Sequence, residues 1–236
     1  MTDQETSQKN QDQSYPNKQY PNLSGVFDLL KPSWSAVKLN LITLIEFIVI
    51  PIILSLLSVV FWKLPSHSLF TGLSTIAGLL IGPGMIYTLL EGANGKSIDF
   101  YPAFRKGLTF FWCYLGVTIL SAILIIGGLI LLIIPGIYML RRYYLAQYYL
   151  IDRNLGVLET MRVSKEESMK FTGPILQVFC VQLLFAAIIV IPPLGTVAGI
   201  ILSIMFYNAP AIRYEQIKHV LGVKPTKKTQ QASSVS

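Results

Sequence analysis

Three ionisable side chains stand inside long apolar runs of this chain: Glu46, and the adjacent pair Arg141 and Arg142. A charge at the centre of a membrane segment costs about 2.5–3.5 kcal/mol on insertion scales, whereas a leucine gains only a few tenths. Residues kept at that cost are expected to pair or to act. One chemistry open to them is a structural ion pair between Glu46 and one arginine. The other is anion capture, in which Arg141 or Arg142, with the hydroxyls of Tyr138, Tyr144 and Tyr148, holds a free anion or a lipid phosphate through charge-assisted hydrogen bonds. Counted from the cytoplasmic ends of their segments at about 1.5 Å per residue, all three charges lie roughly 10 to 16 Å deep. Neighbouring helical residues point about 100° apart, so the two arginines are not expected to share one partner. One would pair inside the bundle and the other would extend to the headgroups. A segment so rich in tyrosine suits a place within the bundle or at the inner interface rather than in lipid.

The rest of the chain offers little for catalysis. It contains no phosphate-cradling glycine loop followed by lysine, no H-E-x-x-H, no nucleophile elbow and no cysteine pair at metal spacing. Cys113 and Cys180 lie in apolar segments and read as small buried side chains. His67 and His219 have no acid, cysteine or second histidine close in sequence and read as solvated loop residues. No catalytic residue, cofactor or metal site is expected, and the reading is of a protein that is not an enzyme.

The elements that must position these residues follow from composition. The chain is 53% hydrophobic and 13% charged, about half the charge of an average soluble domain. Its apolar residues come in runs long enough to cross a bilayer rather than on one face of each element. The expected fold is all-α, a polytopic membrane bundle of six segments near 39–62, 69–90, 108–134, 137–151, 172–191 and 196–212. Short turns at 63–68, at Pro135-Gly136 and at 192–195 would fold these segments into three hairpins. The first 22 residues are polar and contain no apolar central region, so the first membrane helix is expected to act as its own uncleaved insertion signal. Residues 1–22 and the basic end 223–236 read as disordered tails around a membrane domain at 23–222.

The three short turns contain one basic residue, Lys63, whereas Lys31, Lys38, Lys96, Arg105, Lys106, Arg153, Arg162, Lys165, Lys170, Arg213 and Lys218 fall on the opposite side. Cytoplasmic loops carry such an excess, which predicts a plasma-membrane protein with both termini in the cytoplasm. The net charge of +7 then implies contact with anionic inner-leaflet lipid rather than with nucleic acid. Stretches of mixed polarity near 25–38, 97–107 and 156–170 precede the hairpins and read as interfacial helices. In the last of these, Leu158, Met161 and Met169 are expected to share one face. Arg162, Glu166 and Lys170 follow i, i+4 spacing on another. Gly78 with Gly82, and Gly195 with Gly199, fit small-xxx-small helix packing.

The stretch from Ile134 to Lys170 resembles a recurrent block in bacterial membrane proteins of unknown function that are grouped with the membrane domain of glycerophosphoryl diester phosphodiesterases. The matching features are Pro135-Gly136, an arginine-bearing helix, Asp152 before Gly156, and Arg162-x-Ser164 followed by a lysine. Lys31-Pro-Ser-Trp resembles the usual opening of that family. The resemblance implies a bundle of about six crossings in the bacterial plasma membrane. It does not imply phosphodiesterase activity, which belongs to a separate soluble domain.

Two functions follow. The first is a non-enzymatic component that organises lipid or associates with other membrane proteins or with itself. The second is a small transporter or channel for a solute or lipid using Glu46 and Arg141 or Arg142. That one requires a water-filled cavity reaching those side chains.

Overall fold

The computed structural model describes residues 23–61, 67–131, 133–189 and 194–222, and within them the chain is helical without a strand. The helices are α1 (Leu30–Leu39), α2 (Leu41–Val60), α3 (His67–Ala93), α4 (Phe100–Leu131), α5 (Ile133–Tyr143), α6 (Ala146–Arg153), α7 (Val157–Ser168), α8 (Thr172–Ile189), α9 (Leu194–Met205) and α10 (Ala209–Val220). Short 3-10 turns, Phe27–Leu29 and Met169–Phe171, lead into α1 and α8. Both tails read as disordered, and the turns near 63–66 and 192–193, lie outside the described residues.

Among the described residues five helical stretches are long and apolar enough to cross a membrane: Leu41–Val60, Ser68–Ala93, Phe100–Leu131, Val157–Ile188 and Val197–Val220. The fourth expected segment, 137–151, is two short helices. α5 and α6 are separated by a break at Tyr144-Leu145, and neither alone reaches membrane length. Pro135-Gly136 does not form the expected turn either. Both residues lie in the first turn of α5, where the missing proline N–H has no intrahelical bond to make. The stretch 97–107 forms no separate interfacial helix, because α4 begins at Phe100 and runs through it.

Among the described residues the chain neighbours that pack most extensively are α2 with α3, α3 with α4, α4 with α5, and α8 with α9. Pro51 removes a ladder bond from α2, and Ser74 of α3 donates to the Pro51 carbonyl at 3.1 Å. Above that point the hydroxyls of Ser55 and Ser74 are 3.0 Å apart, and those of Ser58 and Thr71 2.6 Å. Hydroxyl ladders of this kind hold helices together where lipid removes the hydrophobic drive, at about 0.6 kcal/mol per bond. α3 and α4 meet backbone to backbone at Gly84 and Gly107, and α4 and α5 at Gly128 and Gly136. The expected small-residue contact is only partly present, since Gly82 abuts the Tyr114 hydroxyl while Gly78 faces open space.

The largest buried cluster joins Val37 of α1, Leu90 of α3, Phe110 of α4, Tyr149 of α6, Ile175 of α8 and Ile217 of α10. It occupies the end of the bundle where α3 and α6 finish and α4 and α8 begin. Asn40 fastens that end by donating to the Lys96 carbonyl and accepting from the Ile98 N–H. Asn154, in the left-handed conformation, terminates α6 there. Toward the other end the helices present large apolar side chains outward, among them Ile53, Leu56, Leu73, Ile123, Ile130 and Leu184. Exposed aliphatic surface on this scale is stable in lipid and prone to association in water.

α7 presents a different face inward from the one its apolar residues imply. Thr160, Met161, Ser164 and Ser168 are buried, while Leu158 and Met169 are exposed. Among the described residues Arg162, Glu166 and Lys170 form no ion pair with one another, and their neighbour Glu167 pairs instead with Arg153.

Candidate functional site

α5 positions the site. Arg141 and Arg142 occupy its last turn, where the carbonyl end of a helix favours cations. Tyr138 stands three and four residues before them, a spacing that brings side chains together on one face. The guanidinium carbon of Arg141 lies 4.1 Å from the Tyr138 ring centroid and that of Arg142 lies 3.8 Å from it. Each stack contributes about 0.5–2 kcal/mol. Arg142 also donates to the Tyr138 hydroxyl and reaches the Met169 sulfur at 3.4 Å, beside the 3-10 turn that leads into α8. Ser164 donates to the Arg142 carbonyl at 2.6 Å and ties α7 to this end of α5. The two arginines thus do share a partner. The 100° offset between them is spanned because that partner is on their own helix, between their two rows.

Among the described residues neither Arg141 nor Arg142 forms an ion pair with a carboxylate. The Nε of each is buried without an acceptor. Two cations held against one aromatic ring with unsatisfied donors form a cradle for an oxyanion.

The other expected site residues are elsewhere. Glu46 is exposed on α2, with no ion pair to either arginine. Tyr144, at the α5–α6 break, donates to the Gln182 side-chain oxygen on α8 and meets Phe179 edge-on at 5.6 Å. Tyr148 is buried in the core and stacks on Tyr214 at 6.2 Å.

Sequence reasoning missed a polar clasp at the packed end. Arg153 binds Glu167 through two parallel hydrogen bonds of 2.7 Å, and its guanidinium lies 4.9 Å from the Tyr149 ring centroid. Tyr214 donates to Asp152 at 2.7 Å, and Lys218 binds the other oxygen of Asp152 at 2.8 Å. Glu215 accepts from Asn94 at 3.2 Å and lies 3.5 Å from Lys218. Burial works against the charged form of Arg153, but the hydrogen bonds and charges of Glu167 and Tyr214 outweigh it, raising its pKa above the ordinary value. The clasp spends its charges on itself and joins α3, α6, α7 and α10. No sequence period links residue 152 to residue 214, and only the adjacent Asp152-Arg153 hinted at paired charges.

A groove of about 200 Å³ runs between α2 and α3, lined by Phe47, Pro51, Ser55, Gly78, Met85 and their neighbours. No charged residue lines it, and it reaches neither Glu46 nor the arginine pair.

Fold and exposed apolar surface together define an α-helical protein built to cross a membrane several times. No family model, curated protein or solved structure matches the chain.

Proposed function

We propose that this is a non-enzymatic multi-pass component of the plasma membrane that organises lipid, holding the phosphate of an anionic headgroup between Arg141 and Arg142. The observation that carries this reading is the arginine pair, stacked on Tyr138 and lacking a carboxylate. Glu167 neutralises Arg153 through both its terminal nitrogens, whereas among the described residues no carboxylate reaches either arginine of the pair. The concentration of lysine and arginine at the packed end supports an orientation with that end in the cytoplasm, against the anionic leaflet. In this reading α5 and α6 together form the fourth of six crossings, giving three hairpins, and both termini are cytoplasmic. The same reading takes the resemblance of Ile134–Lys170 to the phosphodiesterase membrane-domain group as a proposal of shared architecture. The apolar groove between α2 and α3 gives the transport alternative no polar route.

Native mass spectrometry of the protein extracted from mixed phosphatidylcholine and phosphatidylglycerol vesicles tests the headgroup site. Arg141→Gln/Arg142→Gln is expected to retain about tenfold less phosphatidylglycerol, matching the loss of about one charged hydrogen bond. Equal retention by the double variant and the parent protein refutes it.

A further inference from the structure

Arg213, on α10, is among the most deeply buried side chains of the protein, with 1% of its surface exposed. A guanidinium stays protonated at any physiological pH, so burial cannot be relieved by losing the charge. Its partners are neutral. Nη1 donates to the Ser24 carbonyl at 3.1 Å and to the Gln216 side-chain oxygen at 3.0 Å. Nε and Nη2 are buried and have no acceptor among the described residues. Among the described residues no carboxylate pairs with Arg213.

The geometry of the two orphaned groups identifies what is missing. Nε and Nη2 form one edge of the planar guanidinium, the edge that grips two oxygens of a single oxyanion in parallel. The remaining nitrogen is used by Ser24 and Gln216, so one bidentate face is left whole. Around it the chain is closed. Gln216 donates to the Ser24 hydroxyl at 2.7 Å, strapping the leading segment to α10. Just beyond, Leu29 shares a buried cluster with Val178, Phe185, Phe206 and Ile212.

We propose that Arg213 is a second, enclosed anion site that binds one phosphate-type oxyanion and thereby fastens the segment at Ser24 to α10. The site is independent of the arginine pair on α5. The same chemistry is offered by inorganic phosphate and by a lipid headgroup. Enclosure distinguishes this site from the half-exposed one. Its ligand takes the Nε and Nη2 edge while Ser24 and Gln216 keep Nη1, so binding stabilises the closed arrangement of α10.

The test uses the full chain carrying Arg141→Gln/Arg142→Gln, which silences the first site, in phosphatidylcholine nanodiscs. Thermal unfolding is followed while inorganic phosphate is titrated, and separately in phosphate-free buffer with phosphatidylglycerol added to the discs. A ligand that binds only the folded state raises the midpoint saturably. A rise with phosphate assigns the free ion, and a rise with phosphatidylglycerol alone assigns the headgroup. Gln216→Glu places a carboxylate in the position that now holds a neutral oxygen 3.0 Å from Nη1. It is expected to fold, to melt higher without ligand, and to lose the response. Arg213→Gln, if it folds, loses the response as well. No rise with either ligand, or a response that persists in Gln216→Glu, overturns the proposal.

Discussion

At the residue scale, the same side-chain chemistry has different fates according to what stands opposite. Arg153 meets a carboxylate bidentately, Arg141 and Arg142 meet a ring, and Arg213 meets two neutral oxygens. Among the described residues only the first has its charge met by a carboxylate. Removing one partner of a buried ion pair leaves the other charged and unpaired, at a cost of about 3 kcal/mol or more. Glu167→Gln is therefore expected to lower unfolding stability in detergent by about 3 kcal/mol. Tyr214→Phe deletes one of the two bonds to Asp152 and leaves Lys218 in place, so its expected cost is about 1 kcal/mol. Equal losses from the two variants would show that Arg153 finds a substitute partner. Glu46 illustrates the opposite case, since an acid conspicuous in an apolar run proves to be an exposed side chain on the outer face of α2.

At the scale of elements, helix separation is set by glycine where backbones touch. A Cβ added at Gly107 would stand 2.3 Å from the Gly84 nitrogen and 2.6 Å from its Cα, and backbone atoms cannot rotate aside. Gly107→Ala is expected to destabilise by about 1–3 kcal/mol through forced separation of α3 and α4. Gly78, on the same helix α3, has nothing within 4 Å of its added Cβ. There Gly78→Ala gains helix propensity without a clash and is expected to stabilise by about 0.5–1 kcal/mol. Denaturation of the two variants side by side checks the assignment, and a neutral Gly107→Ala would mean that the helices part easily. Gly78 was visible in the sequence as half of a small-xxx-small pair. Gly84 and Gly107 were not, because their contact joins residues on different helices.

At the scale of the molecule, the broken segment α5–α6 decides the topology. If it crosses, Leu131 and Asn154 end on opposite sides of the membrane. Single cysteines at these exposed positions, in a background lacking Cys113 and Cys180, are expected to differ in labelling by an impermeant maleimide. Asn154→Cys should react from the cytoplasmic side and Leu131→Cys from the other. Reaction of both from one side would make α5–α6 a re-entrant pair and reduce the crossings to five. The packed end, with its clasp and largest core cluster, would in either case remain the folded head of the protein.

Several features were legible from the chain alone because they depend on local composition. Apolar runs longer than a bilayer needs can only be helices in lipid, so the membrane class and most helix positions followed directly. Tyr138, Arg141 and Arg142 were singled out as residues, but their meeting on one ring was not expected, although it rests on i, i+3 and i+4 spacing within one helix. Tertiary structure decided everything that joins distant positions. It separated Glu46, Tyr144 and Tyr148 from the arginines, turned α7 to bury its hydroxyls, and brought Asp152 to Tyr214 and Arg153 to Glu167. It also enclosed Arg213 without an acid. Whether a charge is paired or left waiting depends on what the fold places within about 3 Å of it, and no local pattern carries that information.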